Sequence, residues 1–175
     1  MESIQTIVKI GGKLFVFYHI LKKIVSVFFN ILNLLMAGNL PPFCCTSVVV
    51  EKDQHFLVVE LGSGEIVFPG GFMRWREQPE QTAQRECREE TGLHIHLNGL
   101  IGYYPTSSYQ LDRMSTLNLA YAAEVTGGTL RDSIEGHPYW ISEGELRAKL
   151  SPRYHIILDD YLRYRDRRGT NINQA

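Results

Sequence analysis

Residues 68–93 read FPGGFMRWREQPEQTAQRECREETGL, and this stretch predicts a strand, a glycine turn and a helix. The segment from Pro79 to Thr91 is rich in Glu, Gln, Arg and Ala, which is typical of a helix. Pro79 suits the first helical turn, and Gly92 suits the position just after the last one. We therefore expect the helix to begin at Pro79 and to end at Thr91.

Three carboxylates lie close together on this predicted helix. Glu86 and Glu90 are one turn apart and Glu89 lies between them, so the three share an arc of about 100°. Like charges on a free helix cost only about 0.2–0.5 kcal/mol per pair, so a solvated acidic face is one open interpretation. Ala83 and Cys87, however, give the helix an apolar edge that would lie against a sheet. Near the protein interior the carboxylates would repel each other more, and a hard divalent cation would relieve that repulsion.

Two neighbouring features would complete such a metal site. Arg85 lies one turn before Glu89 and can also reach Glu77, so it would orient a carboxylate; an ordinary surface ion pair, worth about 0–1 kcal/mol, is the alternative. Gly70 and Gly71 permit a close backbone approach, so a carbonyl there could join the coordination sphere. An ordinary glycine turn is the alternative for these two residues.

As a whole, the stretch matches the pattern of a known motif. It resembles the Nudix box of the Nudix hydrolases in the sequence Gly71-x5-Glu77-x7-Arg85-Glu86-Cys87-x-Glu89-Glu90-x-Gly92-Leu93. Cys87 stands where the family usually has an aliphatic residue, and a buried free cysteine behaves as a small hydrophobe. The resemblance extends from about Pro42 to Tyr164. It implies an α/β/α sandwich around a mixed sheet, and Mg²⁺- or Mn²⁺-dependent hydrolysis of a phosphoanhydride bond in a nucleoside diphosphate linked to another moiety.

The resemblance also implies roles for individual residues. Residues that match the metal-binding positions are Gly71, through its carbonyl, and Glu86, Glu89 and Glu90. The same three carboxylates and Arg85 match the catalytic positions. We prefer Glu86 as the general base, with Glu135 and Glu124 on later segments as alternatives. Glu135 is also a candidate metal ligand, against the alternative of a plain loop acid.

Arg74 and Trp75 follow the glycine turn and are candidate substrate-binding residues. An arginine can bind phosphate and an indole can stack on a base, whereas simple loop packing is the alternative for both. A non-catalytic nucleotide-binding module on the same fold is the second interpretation of the domain, because folds also host relatives without activity. The intact carboxylates argue against it.

Outward from the motif, strand-like and helical segments alternate. Short β-branched or aromatic runs predict strands at Thr46–Val50, Phe56–Glu60, Ile66–Phe68, Leu97–Tyr104, Thr116–Glu124 and near Trp140. Further helices are expected at about Ser142–Lys149 and Arg153–Arg165. This alternation predicts the α/β class, with helices packed on a mixed sheet.

The first 40 residues form a separate hydrophobic extension in this interpretation. Between Leu14 and Met36, apolar residues surround a polar stripe at helical spacing, made of His19, Lys22, Lys23, Ser26, Asn30 and Asn33. Three alternatives stay open: an amphipathic helix on a membrane surface, a span starting near Ile24, and a soluble helix packed on the domain or in a homodimer. The Lys22-Lys23 pair favours the first two and a cytoplasmic N-terminus.

The 175 residues suffice for this extension at 1–40, one domain at 41–168 and a flexible tail at 169–175. Lys and Arg number 18 and Asp and Glu 19, so the net charge is −1, and a dedicated nucleic-acid binder is not expected. A small nucleotide is the expected partner. Three cysteines cannot form a disulfide framework, which indicates a reducing compartment: the cytoplasm, at the inner face of a membrane if the helix binds one.

Overall fold

The computed structural model describes residues 20, 21, 23–108 and 110–172 of the chain. The chain divides into two compact units. One consists of Met1–Phe43 and Pro105–Thr116, and the other of Cys44–Tyr104 and Leu117–Ala175. The predicted Nudix-type motif lies entirely in the second and larger unit.

Seven strands form the sheet: β1 (Phe43–Lys52), β2 (His55–Leu61), β3 (Ile66–Val67), β4 (Gly70–Phe72), β5 (Leu93–Thr106), β6 (Thr116–Gly128) and β7 (Gly136–Ser142). The order across the sheet is β3-β2-β1-β6-β5, while β4 pairs with β1 and β7 pairs with β2. Strand β1 is antiparallel to β2 and to β4: Glu51 lies opposite Phe56 of β2, and Thr46 lies opposite Gly71 of β4. The pairing with β4 holds the glycine-rich segment against a central strand.

The helices are α1 (residues 20, 21 and 23–35), α2 (Pro79–Thr91), α3 (Glu143–Lys149) and α4 (His155–Ile172), and a 3-10 turn at Pro152–Tyr154 precedes α4. The predicted bounds of α2 are confirmed. Helix α4 continues to Ile172, four residues past the predicted domain end at residue 168 and into the segment expected as a tail.

The central strands are buried on both faces, which explains why they are continuous apolar runs without alternation. Val48, Val49 and Val50 of β1 are all fully buried. Val49 belongs to a core completed by α3 and α4, whereas Val48 and Val50 belong to a second core completed by Ala83 and Cys87 of α2. Helices therefore cover both faces of the sheet, and the predicted α/β class is confirmed.

Helix α2 carries its start and stop signals in its own sequence. At the start, the backbone N–H of Gln78 donates to Oε1 of Gln81 at 3.0 Å. At the end, Gly92 has a φ of +78°, in the left-handed region where glycine is favoured, and its N–H donates to the carbonyl of Arg88 at 3.0 Å. These local signals explain why the bounds of α2 were predictable.

In the smaller unit, polar side chains of α1 that belong to the predicted stripe face the rest of that unit. Ser26 is only 2% exposed. The side-chain amide of Asn30 donates to the carbonyl oxygens of Leu111 and Arg113, at 2.9 and 3.0 Å, in the loop between β5 and β6. His19 and Lys22 lie outside the described residues. Within the described part of the chain, no helix combines the length and the apolar character needed to cross a membrane.

Candidate active site

Helix α2 is fixed to the sheet by the apolar edge that the sequence predicts. Ala83 and Cys87 are both fully buried in the second core. Burial raises the pKa of the Cys87 thiol to about 11, so at neutral pH this residue packs as a hydrophobe. The acidic side of the same helix is consequently held close to strand β4.

Arg85 binds Glu77 through two hydrogen bonds, from Nε to Oε1 at 2.7 Å and from Nη2 to Oε2 at 2.8 Å. Nη2 also donates to the carbonyl of Phe72 at 3.1 Å, and the Thr82 hydroxyl donates to Glu77 at 2.8 Å. The hydrogen bonds from Arg85 are the main reason why the pKa of Glu77 falls to about 2. The same pairing raises the pKa of Arg85, so both groups stay ionised and join the loop before α2 to the helix.

The far edge of the Arg85 guanidinium contacts two of the predicted metal ligands. Nη1 donates to Oε1 of Glu86 at 2.6 Å and to Oε2 of Glu89 at 3.2 Å. The side chain of Glu86 is mostly buried, and this burial raises its pKa, with repulsion from Glu135 and Glu89 adding to the effect and Arg85 opposing it. Glu89 is 42% exposed and also accepts two hydrogen bonds from Nη2 of Arg74, at 3.0 and 3.1 Å.

Glu90 is the most buried of the three carboxylates, at 4% exposure. Its Oε2 accepts a hydrogen bond from the backbone N–H of Gly70 at 2.8 Å. Burial raises the pKa of Glu90 to about 8; repulsion from Glu135 and Glu86 acts in the same direction, and the Gly70 N–H acts against it. Glu135 lies near enough for its charge to raise the pKa of both Glu86 and Glu90, so the structure brings this loop residue toward the carboxylates of α2. We refer to Glu86, Glu89, Glu90 and Glu135 as the acidic cluster.

Gly71 lies directly against the acidic cluster. A Cβ at this position would stand 2.6 Å from the carboxyl carbon of Glu86 and 2.7 and 2.8 Å from its oxygens. Only glycine therefore leaves room for the Glu86 carboxylate in its present position. The alternative of an ordinary glycine turn is wrong, because Gly70 and Gly71 are extended and pair with Ser47 and Thr46 of β1.

Two candidate residues lie apart from the cluster. Trp75 is 88% exposed, and its ring has the guanidinium of Arg76 at 6.0 Å from the ring centre. Glu124, the second alternative for the general base, is exposed on β6. Neither side chain hydrogen-bonds to the acidic cluster within the described residues. Arg74, by contrast, reaches the cluster through Glu89.

The donors of the acidic cluster fit a hard divalent cation. Carboxylate oxygens are the ligands that Mg²⁺ and Mn²⁺ prefer. Burial, with repulsion between the carboxylates adding to it, raises the pKa of Glu86 and Glu90, and a bound cation would stabilise their charged forms. Among the described residues, no three His, Cys, Asp or Glu side chains already surround one point as metal ligands. Arg85 and Arg74 instead hold oxygens of Glu86 and Glu89.

Sequence reasoning missed three groups that position these carboxylates. The N–H of Gly70 and the carbonyl of Phe72 are backbone groups, for which the sequence carries no signal. The hydroxyl of Thr82 could have been found, because threonines in a first helical turn often hydrogen-bond to groups near the helix start.

A family model of the NUDIX domain matches residues 43–161. The chain belongs to the Nudix family. Relatives of this Nudix protein agree with the assignment. The chain is 27% identical to an ADP-ribose pyrophosphatase of Methanocaldococcus jannaschii over 131 aligned residues, and the alignment covers 73% of this chain and 77% of the relative. The chain is also 29% identical to a MutT-like protein of Streptomyces ambofaciens over 127 aligned residues, and this alignment covers 70% of the chain and 79% of the relative.

Solved Nudix structures share the fold. The NUDIX hydrolase from Nitrosomonas europaea superposes with a TM-score of 0.61 at 24% identity, covering 69% of this chain and 88% of the other. The predicted sheet between helices and the predicted assignment to an enzyme of the Nudix hydrolase family are therefore confirmed.

Proposed function

We propose that this Nudix protein hydrolyses a phosphoanhydride bond in a nucleoside diphosphate linked to another moiety, such as a nucleotide sugar, ADP-ribose or a nucleotide, with Mg²⁺ or Mn²⁺ as cofactor. The acidic cluster carries the proposal: Glu86 lies against Gly71, Glu90 accepts a hydrogen bond from the N–H of Gly70, and Arg85 donates to both Glu86 and Glu89. The ADP-ribose pyrophosphatase among its relatives has a substrate of the proposed class.

The residues that would hold the cation are Glu86, Glu89, Glu90, Glu135 and the carbonyl of Gly71. When bound, a cation in such a site activates water and neutralises phosphate charge. Because the four carboxylates would otherwise repel both each other and an anionic substrate, the cluster and the phosphates need the same counter-charge.

Arg85 acts as a positioning residue in this proposal. It is anchored by Glu77 on one edge of its guanidinium and directs Glu86 and Glu89 from the other. Glu86 would take the proton of the attacking water: Arg85 binds its Oε1, whereas its Oε2 accepts no hydrogen bond within the described residues. Glu135, whose charge acts on Glu86 and Glu90, is the alternative general base.

Arg74 and Trp75 are the proposed substrate-binding residues. The ion pair between Arg74 and Glu89 is exposed on both sides, so it contributes only about 0–1 kcal/mol and can be exchanged for a substrate phosphate. The ring of Trp75 is open to solvent and offers a flat surface on which a base can stack.

The proposal is tested by measuring Mg²⁺-dependent phosphate or nucleotide release from nucleotide sugars, ADP-ribose, dinucleoside polyphosphates and nucleoside triphosphates. We expect turnover of at least one class, and a loss of about 10³-fold or more in the Glu89→Gln and Glu90→Gln variants with little change in thermal stability. Glu80→Gln is the matched control, since Glu80 lies on the same helix and contacts Tyr121 instead of the cluster.

Two outcomes would contradict the proposal. Wild-type rates in either cluster variant would remove that carboxylate from the active site. Nucleotide binding without turnover of any substrate would favour the second candidate, a non-catalytic regulatory module on the Nudix fold.

We further propose that the enzyme works in the cytoplasm on a small nucleotide, and that α1 attaches it either to the inner face of a membrane or to a second copy of the chain. The odd number of cysteines and the net charge of −1 support the compartment and the small substrate.

A further inference from the structure

Helix α1 presents its apolar side to the outside. Nine large hydrophobic side chains of the helix, and Met36 just after it, are between 38% and 77% exposed. Monomeric soluble proteins rarely expose a contiguous apolar patch of more than a few hundred Å². We call this set the apolar face of α1: Ile20, Leu21, Ile24, Val25, Phe28, Ile31, Leu32, Leu34, Leu35 and Met36. A face of this size indicates a partner.

The orientation of the helix is fixed by the groups on its opposite side. The Asn30 amide holds the carbonyls of Leu111 and Arg113, and the rings of Phe29 and Phe43 pack with their centres 4.4 Å apart. Turning the polar stripe toward solvent would break these contacts and leave the loop carbonyls without their donor. The outward position of the apolar face is therefore built into the smaller unit.

We propose that the apolar face of α1 binds the surface of an anionic lipid bilayer. Charge selects this partner over a second copy. Residues 1–50 contain Lys9, Lys13, Lys22 and Lys23 against Glu2 alone, a balance of +3. The same segment of a second copy carries the same positive balance and offers no excess of opposite charge, whereas anionic headgroups attract each lysine near the surface by about 1 kcal/mol.

The geometry around Lys23 agrees with a headgroup contact. Lys23 borders a shallow, largely apolar hollow of about 490 Å³ that is lined by Ile24, Phe28 and their neighbours on α1. Asp112 is the acidic group at the rim of this hollow, and the exposed Arg113 lies next to it in sequence. Lysine at the border and apolar side chains beneath it form the pattern of a helix that lies in the headgroup region.

An orientation along the membrane agrees with the contacts on the polar side of the helix. The Asn30 amide donates to the carbonyl oxygens of Leu111 and Arg113, so one side of α1 is occupied by protein while the apolar side is exposed. An in-plane helix buries its apolar side about 5–10 Å deep and keeps its other side on the protein. This inference rests on the proposed surface attachment and is independent of the hydrolase activity.

Vesicle flotation of the full chain tests the proposal. We expect binding to vesicles of phosphatidylcholine mixed with phosphatidylglycerol, and weaker binding to phosphatidylcholine alone. Replacing both Leu34 and Leu35, each 77% exposed, by serine should lower the partition coefficient about tenfold or more. Ile134→Ser is the matched control, because Ile134 is 83% exposed but lies outside α1, and its binding should equal that of the wild type.

A charge variant and a mass measurement complete the test. Lys23→Glu should weaken binding to the mixed vesicles about tenfold and leave binding to phosphatidylcholine unchanged. No binding of the wild type to either vesicle would overturn the proposal. A second result would also overturn it: light scattering shows a dimer for the wild type and a monomer for the variant with both Leu34→Ser and Leu35→Ser, while the two bind vesicles equally. The partner of the apolar face would then be a second copy of the chain. Nucleotide hydrolysis in solution should be the same in all these variants.

Discussion

Gly71→Ala is the most direct test of how the fold builds the acidic cluster. The new Cβ would stand 2.6 Å from the carboxyl carbon of Glu86, and ordinary contacts of a Cβ begin at about 3.4 Å. The carboxylate must therefore retreat by about 0.8 Å. Because it is the end of a flexible side chain, it can do so without moving the backbone.

The expected result is a loss of activity without a loss of stability. A displacement of about 1 Å in an active-site group can cost about 100-fold in rate, so we expect kcat of Gly71→Ala to fall by about this factor. Thermal unfolding should change by less than about 2 °C, since no buried backbone contact is made or broken. The assay is steady-state hydrolysis of the best substrate of the panel, beside a melting curve of the same sample.

Gly70→Ala is the matched comparison, one residue away on the same strand. Its Cβ would lie 2.1 Å from the carbonyl oxygen of Thr46 and 2.8 Å from the Cα of Ser47, both of which are backbone atoms of β1. Neither atom can retreat without separating β4 from β1, so we expect destabilisation of about 1–3 kcal/mol or more and a melting temperature lower by about 4 °C or more. Wild-type rates in Gly71→Ala, or equal destabilisation in both variants, would refute this reasoning.

The remaining predictions concern Glu77, Trp75, Arg74 and Glu135. Glu77→Gln removes the charged partner of Arg85. A carboxyl pKa of about 2 corresponds to a stabilisation of about 3 kcal/mol without solvent screening and about 1–2 kcal/mol with it. Urea unfolding should therefore show a loss of this free energy of unfolding above about pH 4.5, and the loss should shrink as the pH falls toward 2. A deficit that persists in acid would contradict the assignment to this carboxylate. Trp75→Ala should raise KM about tenfold for purine substrates while kcat stays nearly constant. Arg74→Ala should raise KM for all substrates alike. An unchanged KM in either variant would exclude that residue from substrate binding. Glu135→Gln should lower kcat in a way that a higher Mg²⁺ concentration restores if Glu135 is a cation ligand and Glu86 the general base. A loss of about 100-fold that persists at saturating Mg²⁺, together with a changed acid limb of the pH–rate profile, would assign the role of general base to Glu135.

Much of the site was predictable because its signals are local. The spacing of Glu86, Glu89 and Glu90 depends only on helical geometry, and the ends of α2 follow from Pro79 and Gly92. For Arg85 and Glu77, the sequence is equally compatible with an ordinary surface ion pair. The two hydrogen bonds and the low exposure of both side chains place this pair inside the site, which the sequence could not show.

Other parts depend on contacts between distant segments. Strand β4 was not predicted, because two glycines have a low strand propensity and only the neighbouring β1 makes the segment extended. The same holds for the orientation of α1: helical spacing defines a polar stripe that includes Asn30, but the stripe could face solvent or protein equally well.

The sequence by itself determined the family, the helix with its three carboxylates and the apolar edge that packs on the sheet, because each of these depends on residues within a few turns of one another. Only the tertiary structure decided which groups hold those carboxylates, that Glu135 joins them, and that α1 faces outward with its apolar side. These features arise when chain segments far apart in sequence meet, and a pattern of neighbouring residues carries no information about such a meeting.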